Sequence, residues 1–188
     1  RAKTVVIATG AASPYASLKQ LVETSKAKPG SASYGSPGSG STPHLAVELF
    51  AHAAGVALTH VPYKGGAPAI TDVLGGQLPL VAVNAVEVLP HVKAGKLKVL
   101  ATLSAQRVAT LPDTPTIAES GLPEFETLQW YGIVAPAGTP APVIAKLHAE
   151  LLKAARTPAF VERLTAAGME VVPSARPEDF ARLIREDL

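Results

Sequence analysis

The densest grouping of polar, conformationally free residues in the sequence is Gly35-Ser36-Pro37-Gly38-Ser39-Gly40-Ser41-Thr42. Its chemistry is recognition rather than bond making. Glycines let a backbone approach a ligand closely, and hydroxyls add donors. The helix predicted to follow would turn free N–H groups and a partial positive charge toward an anion. The spacing approaches the phosphate loop G-x-x-x-x-G-K-[ST], with Gly35, Gly40 and Thr42 in place, but Ser41 stands where that loop has its lysine. Without that cation nucleotide hydrolysis is rejected, and an amide-and-hydroxyl pocket suits a carboxylate better than a triphosphate. A plain tight turn with Thr42 as N-cap is the other reading of the same residues.

A second loop, Val61-Pro62-Tyr63-Lys64-Gly65-Gly66-Ala67-Pro68, repeats the design. Lys64 either adds positive charge near a ligand or is simply solvated, and Tyr63 is expected to pack at a strand end. Asn84 closes a predicted strand, where open α/β sheets bind ligands, and serves as readily as a turn residue. His44, in the first turn after the glycine loop, could serve an anion or the loop backbone, the second being the more ordinary role. Nothing points to catalysis. His44, His52, His60, His91 and His148 form no i, i+4 pair of the kind that binds zinc on a helix. Gly38-Ser39-Gly40 fails the G-x-S-x-G spacing, and Glu48 and Asp72 read as surface or cap residues of helices. No catalytic residue, metal ligand or cofactor is expected. Trp130 is expected to pack in a core or between lobes.

The elements that must position these loops alternate between β-rich and helical runs, the pattern of an α/β fold with a parallel sheet. Strands are predicted at Thr4–Ala8, Ala32–Tyr34, Ala57–Val61, Pro79–Val83 and Leu97–Leu103. Helices are predicted at Pro14–Ala27 (Ser13 as N-cap), Pro43–Ala54, Ala67–Leu74 and Val86–Ala94. Ala46, Leu49, Phe50 and Ala53 give the second helix one apolar face, and Gly55 fits its C′ position. The rhythm stops at Ser104. Residues 105–126 read as a connector with one short helix, Pro115–Ser120. Beyond it come a strand at Thr127–Val134 and a long helix capped by Thr139-Pro140, with Ile144, Leu147, Leu151 and Ala154 on one face. A helix from Thr157-Pro158, a short strand at Glu170–Val172 and a last helix at Pro177–Leu188 complete the chain. The tail has little sheet of its own, so its amphipathic helices need a partner surface.

Composition bounds the class. Among 188 residues, 47% are apolar and 17% charged, enough apolar side chains for a sizeable core and too many for intrinsic disorder. A net charge of +2 argues against a nucleic-acid binder. No apolar run approaches the ~20 residues that span a bilayer. There is no cysteine, hence no disulfide framework, thiolate site or cysteine nucleophile. The chain opens at Arg1 without a signal peptide and is expected to be a processed or trimmed piece.

The run Tyr34-Gly-Ser-Pro-Gly-Ser-Gly-Ser-Thr-Pro-His44-Leu45 resembles the glycine/serine loop and following His-Leu of the Bug/TctC substrate-binding proteins, the extracytoplasmic receptors of tripartite tricarboxylate transporters. Val61–Pro68, Gly76-Gln-Leu, Pro90–Leu97, Leu111–Gly121, Trp130-Tyr-Gly and Ala135–Pro140 agree in order, so the likeness covers the chain in register. It implies an α/β, periplasmic-binding-protein-like fold (type II, Venus flytrap). Residues 4–104 would be one ligand-binding lobe, 105–126 a connector or hinge, and 127–188 the C-terminal part of the other lobe. The family's N-terminal stretch of about 100 residues, with its own ligand loop, is missing here, so weakened binding and self-association through residues 127–188 are expected. The resemblance further implies a small carboxylate held by loop amides and hydroxyls at Ser36, Gly38, Ser39, Gly40, Ser41 and Thr42, with His44, Gly65, Gly66 and Asn84 alongside. It implies export to the periplasm by a signal peptide not present in the chain, delivery to membrane transporter subunits, and hinge closure rather than chemistry. An effector-sensing domain or an enzyme on the same scaffold is the alternative.

Overall fold

The computed structural model describes residues 4–108, 110–123, 125, 127, 131–166 and 171–186. The chain divides into two compact units, residues 4–128 and a tail from residue 129.

The first unit contains β1 (Val5–Gly10), α1 (Leu18–Ala27), β2 (Ser33–Ser36), α2 (Thr42–Ala54), β3 (Thr59–Pro62), α3 (Gly66–Leu74), β4 (Leu80–Asn84), α4 (Ala85–Lys93) and β5 (Leu97–Thr102). The strands form one sheet in the order β3-β2-β4-β1-β5. Successive strand residues point to opposite faces, and both faces are covered. Val5 and Ile7 of β1 with Leu80 and Ala82 of β4 pack against Leu18, Leu21, Val47 and Phe50 of α1 and α2. The alternate residues Val6, Ala8, Val81 and Val83 pack against Ile70, Val73 and Val88 of α3 and α4. Helix–sheet–helix layering therefore explains the continuous apolar runs of β1 and β4.

The sheet is mixed rather than wholly parallel. β2 runs parallel to β3 and β4, but β1 is antiparallel to both β4 and β5. Hydrophobic periodicity fixes which face a residue takes and carries no strand direction, so the sequence could not supply this. Residues 11–17 and α1 together return the chain to the sheet end where β1 finished, so β2 starts there.

Other boundaries shift for local reasons. α1 begins at Leu18, not Pro14. Ser17 is its N-cap, accepting the Gln20 N–H at 3.2 Å, while Gln20 Oε1 accepts the Ala16 N–H at 2.8 Å. On α2 the buried positions are Pro43, Ala46, Val47, Phe50 and Ala51, whereas Leu49 and Ala53 are exposed. Both sets have helical spacing, and only the sheet selects between them. Gly55 takes the left-handed conformation, φ 64°, at the end of α2. The expected helix at Pro115–Ser120 is a turn. Thr116 bridges to Thr102, and Ser120 N–H donates to Ile117 O. So short a stretch, ended by Gly121 at φ 108°, cannot repay helix nucleation. After β5, Leu111, Ile117 and Phe125 are buried, Ile117 and Phe125 in the cluster that holds Leu100 and Ala101 of β5 and Leu111 in the one that holds Leu97.

The tail holds α5 (Ala141–Ala155), α6 (Pro158–Ala166) and α7 (Pro177–Glu186), with α5 packed on both others. His148 Nε2 lies 3.0 Å from Ser174 O. Glu178 and Asp179 occupy the first turn of α7 as expected, and Asp179 pairs with Arg176 and Arg182. Thr139 does not cap α5, because its hydroxyl donates to Pro136 O at 2.8 Å. Leu147 and Leu151 of the expected buried face are exposed, while Ile144, His148, Leu152 and Ala155 are half-buried. Thr127 and 131–134 are not strand, and neither are 171 and 172; residues 128–130, including Trp130, and Glu170 lie outside the described residues. A strand exists only where a neighbour pairs with it, and apolar pattern alone does not supply one.

Candidate functional site

Because β3, β2 and β4 are adjacent and parallel, their carboxyl ends open at one end of the sheet. Each feeds a helix: β2 into α2 at Thr42, β3 into α3 at Gly66, and β4 into α4 at Ala85. Three helix N-termini thus meet beside one another, and a helix start presents free N–H groups and partial positive charge.

The loops are joined directly. Tyr63 N–H donates to Ser36 O at 3.0 Å, and Gly65 N–H donates to Pro37 O at 3.1 Å. A Cβ on Gly38 would sit 3.3 Å from Tyr63 O, and one on Gly66 would run into the Glu87 carboxylate. Glu87 Oε1 in turn accepts from the Asn84 backbone N–H at 3.2 Å and from its Nδ2 at 2.9 Å. Ser36, Gly38–Thr42, Gly65, Gly66 and Asn84 therefore lie along one continuous chain of contacts, with His44 on the side facing β3.

Much of the glycine loop's donor capacity is spent on itself. Gly38 N–H donates to Ser36 Oγ at 3.2 Å and Gly40 N–H to His44 Nδ1 at 3.1 Å. Ser41, not Thr42, is the N-cap of α2, accepting from His44 N–H while its own hydroxyl donates to Gly38 O at 2.7 Å. Ser39 is exposed and Thr42 half-buried, and among the described residues neither side-chain hydroxyl has a protein partner. Asn84 Oδ1 is buried without a protein partner.

Behind the loop stands a cluster the sequence did not reveal. The His44 and His60 rings stack with centroids 3.9 Å apart, and His60 Nε2 is 2.7 Å from Ser36 Oγ. Tyr34, buried beside His60, donates its hydroxyl to Glu48 Oε1 at 2.6 Å. Burial first, then that carboxylate, raises the Tyr34 phenol far above its ordinary range, so it stays a donor. Burial first, then the charge of His44, lowers His60 below the ordinary imidazole value. Glu48 is thus more than a surface residue, and Asp72 likewise accepts the Tyr63 hydroxyl at 2.5 Å. Tyr63 packs against the core, and Lys64 is exposed. His60 was missed because its partners lie 16 and 24 residues away, beyond any local motif.

Among the described residues no group of three or more His, Cys, Asp or Glu is placed to hold a metal ion, and no helix is long and apolar enough to cross a membrane. A cleft lined by Gly10, Ser13, Pro14, Leu74, Gly76 and Lys96 lies at the opposite end of the sheet, beside the amino ends of β4 and β5.

Comparison with known proteins gives this arrangement its context. Residues 1–188 match the tripartite tricarboxylate transporter family receptor, TctC. A UPF0065 protein in the tcbD-tcbE intergenic region of Pseudomonas sp. (strain P51) is 37% identical over 183 residues, 97% of this chain and 54% of its own length. Protein BugT of Bordetella pertussis is 37% identical over 172 residues, 92% of this chain and 52% of its own. The chain therefore spans about half the length of the curated relatives it matches. Among solved structures, R. palustris Rpa4515 with adipate superposes with a TM-score of 0.82 at 32% identity, covering 98% of this chain and 61% of that one. MatC (Rpa3494) from Rhodopseudomonas palustris with bound malate gives 0.80 at 29% identity, covering 98% and 63%. The fold is that of the periplasmic binding proteins. Membership follows from the match along the whole sequence together with that shared fold: the chain belongs to the TctC family of tripartite tricarboxylate transporter receptors.

Proposed function

We propose that this chain is the ligand-binding part of a periplasmic receptor that captures a small organic carboxylate and delivers it to a tripartite tricarboxylate-type membrane transporter. The observation that carries the reading is the convergence of the N-termini of α2, α3 and α4 at one end of the parallel strands. That arrangement offers uncharged donors to an anion, in keeping with a family of receptors. Ser39, Thr42 and the first turn of α3 at Gly66 supply the donors, Asn84 lies beside them, and Ser36, Gly38, Gly40 and Ser41 hold the loop in shape. Relatives bound to adipate and malate support a carboxylate ligand.

The Pseudomonas and Bordetella relatives named above are nearly twice as long. Residues 4–104 are read as one lobe, 105–126 as the connector, and 127–188 as part of the second lobe, whose remainder would close over the ligand. Export by a signal peptide and self-association of the bare tail belong to the same reading.

A thermal-shift screen of mono-, di- and tricarboxylates, malate and adipate included, tests it on this chain and on its open reading frame expressed whole. A ligand at ~100 Kd should stabilise the protein that binds it by about 2.7 kcal/mol. A shift in the whole protein is the expected result. No shift in either protein with any carboxylate would sink the proposal.

A further inference from the structure

We infer that His44 is the positioning residue of the Gly35–Thr42 loop, and that its neutral, Gly40-accepting state is the ligand-competent one. The second half rests on the receptor reading above.

The amides of Gly38 and Gly40 flank Ser39, and each is tied back to an imidazole. Gly40 N–H donates straight to His44 Nδ1 at 3.1 Å. Gly38 N–H donates to Ser36 Oγ, which sits 2.7 Å from His60 Nε2. The two rings stack on each other, so one aromatic pair anchors both ends of the Gly38–Gly40 segment. Gly38 and Gly40 have φ 142° and 75°, conformations that a side chain rarely adopts, and these bonds hold the backbone there together with Ser41, whose N–H and hydroxyl donate to Gly38 O, and Gly65, whose N–H donates to Pro37 O. The shape leaves Ser39 exposed between two fixed amides.

The two anchors respond differently to a proton. Nδ1 of His44 can accept from Gly40 only while it carries a lone pair, so the proton of the neutral ring sits on Nε2. In the cation both ring nitrogens are donors. Nδ1–H would then face the Gly40 N–H, and that bond is lost. His60 faces Ser36 Oγ, a hydroxyl that serves as donor or acceptor, and tolerates either state. The groups facing the pair are Glu48 on α2, and Tyr34 and Ser36 on β2. Glu48 is engaged by the Tyr34 hydroxyl, and charge on His44 disfavours charge on His60. Protonation of His44 would therefore release Gly40 and let the ligand loop relax.

The test follows the Gly40 amide directly. In ¹H–¹⁵N spectra of the 188-residue chain, the Gly40 amide proton should move upfield as the pH falls, with the midpoint of the His44 ring. In His44→Asn, whose side-chain oxygen stands near the place of Nδ1, the Gly40 amide should keep its bonded shift at every pH. In His44→Ala it should show the released shift at every pH. Spectral dispersion outside the loop reports whether each variant folds. A Gly40 amide indifferent to the His44 titration, or one that titrates in His44→Asn as in the wild type, overturns the positioning role. For the ligand half, malate affinity is measured for wild type and His44→Asn, on whichever of the chain and its whole open reading frame binds. Their ratio at each pH cancels the ligand's own ionisation. The expected ratio moves about fivefold in favour of the variant once the wild-type His44 ring is protonated, one hydrogen bond's worth. A constant ratio overturns the ligand half. Failure of every carboxylate to bind overturns the receptor reading and that half with it, while the Gly40 shift still decides the positioning role.

Discussion

The two units of this chain are built from helices of similar quality and end in opposite states. In residues 4–128 every strand and α1–α4 contribute to two apolar clusters, and Ile7, Leu21, Phe50 and Leu80 are at most 1% exposed. In the tail, among the described residues, none is buried at all, and Tyr131, Ile133, Val134, Leu147 and Leu151 stand 41–76% exposed. The difference is the sheet. A sheet gives helices two broad faces to cover, whereas in the tail α5 packs on α6 and α7. Local capping and periodicity are enough to form a helix on paper, but burial needs a partner of sufficient area.

The contrast can be broken most forcefully in the core. Phe50→Ala should cost about 3–5 kcal/mol in urea unfolding of residues 4–128, as for other buried aromatic truncations. Leu147→Ala should stay within about 0.5 kcal/mol, because that side chain leaves little packing behind. Equal losses would mean the tail has a core of its own. Next in size comes Gly35→Ala. Its Cβ would sit 2.7 Å from Leu78 Cδ2, 3.0 Å from Tyr63 and 3.1 Å from Ala69. Overpacking of about 1–3 kcal/mol is expected, read as a lowered melting temperature.

The tail is probed by charge instead of volume. The double substitution Leu147→Glu/Leu151→Glu should shift sedimentation toward monomer and leave the unfolding free energy of residues 4–128 unchanged, if the exposed stripe is what associates. A chain already monomeric at high concentration removes that idea. The smallest effect is a pH dependence. His60 is held below its ordinary value, so the unfolded chain takes the proton more readily. Its contribution is intact above about pH 6.5 and is lost as the pH falls through the lowered folded value. His60→Gln should flatten the decline in unfolding free energy between pH 7 and 5. An unchanged slope would assign the decline to other groups.

The same contrast marks what could be read from the sequence. The four βα repeats of residues 4–104 were legible because their signals are local: Pro43 after a cap, Gly55 after the last turn, and β-branched runs of strand length. The candidate loops were legible for the same reason, since glycines and hydroxyls between a strand and a helix constrain the backbone wherever they occur. What depended on distant partners was not. The reversed direction of β1, the buried face of α2, the failure of residues 131–134 to pair, and the stacking of His44 on His60 are all settled by residues far along the chain. Thr139 failed as a cap because Pro136 O offered its hydroxyl a nearer partner.

The reversal of β1 has a mechanical consequence. Running against its neighbours, β1 brings Thr4 to the same end of the sheet as the three helix starts, where Thr4 O accepts the Ala85 N–H at 2.8 Å. Leu103 N–H bonds Val5 O there at 2.8 Å, and the Thr127 hydroxyl bonds Leu103 O at 2.8 Å. The chain is thus moored on both sides within one short load path, and that path ends on the first turn of α4. The backbone that enters β1 and the backbone that leaves β5 are thus hydrogen-bonded to each other and to the first turn of α4, at the end of the sheet where the candidate loops lie.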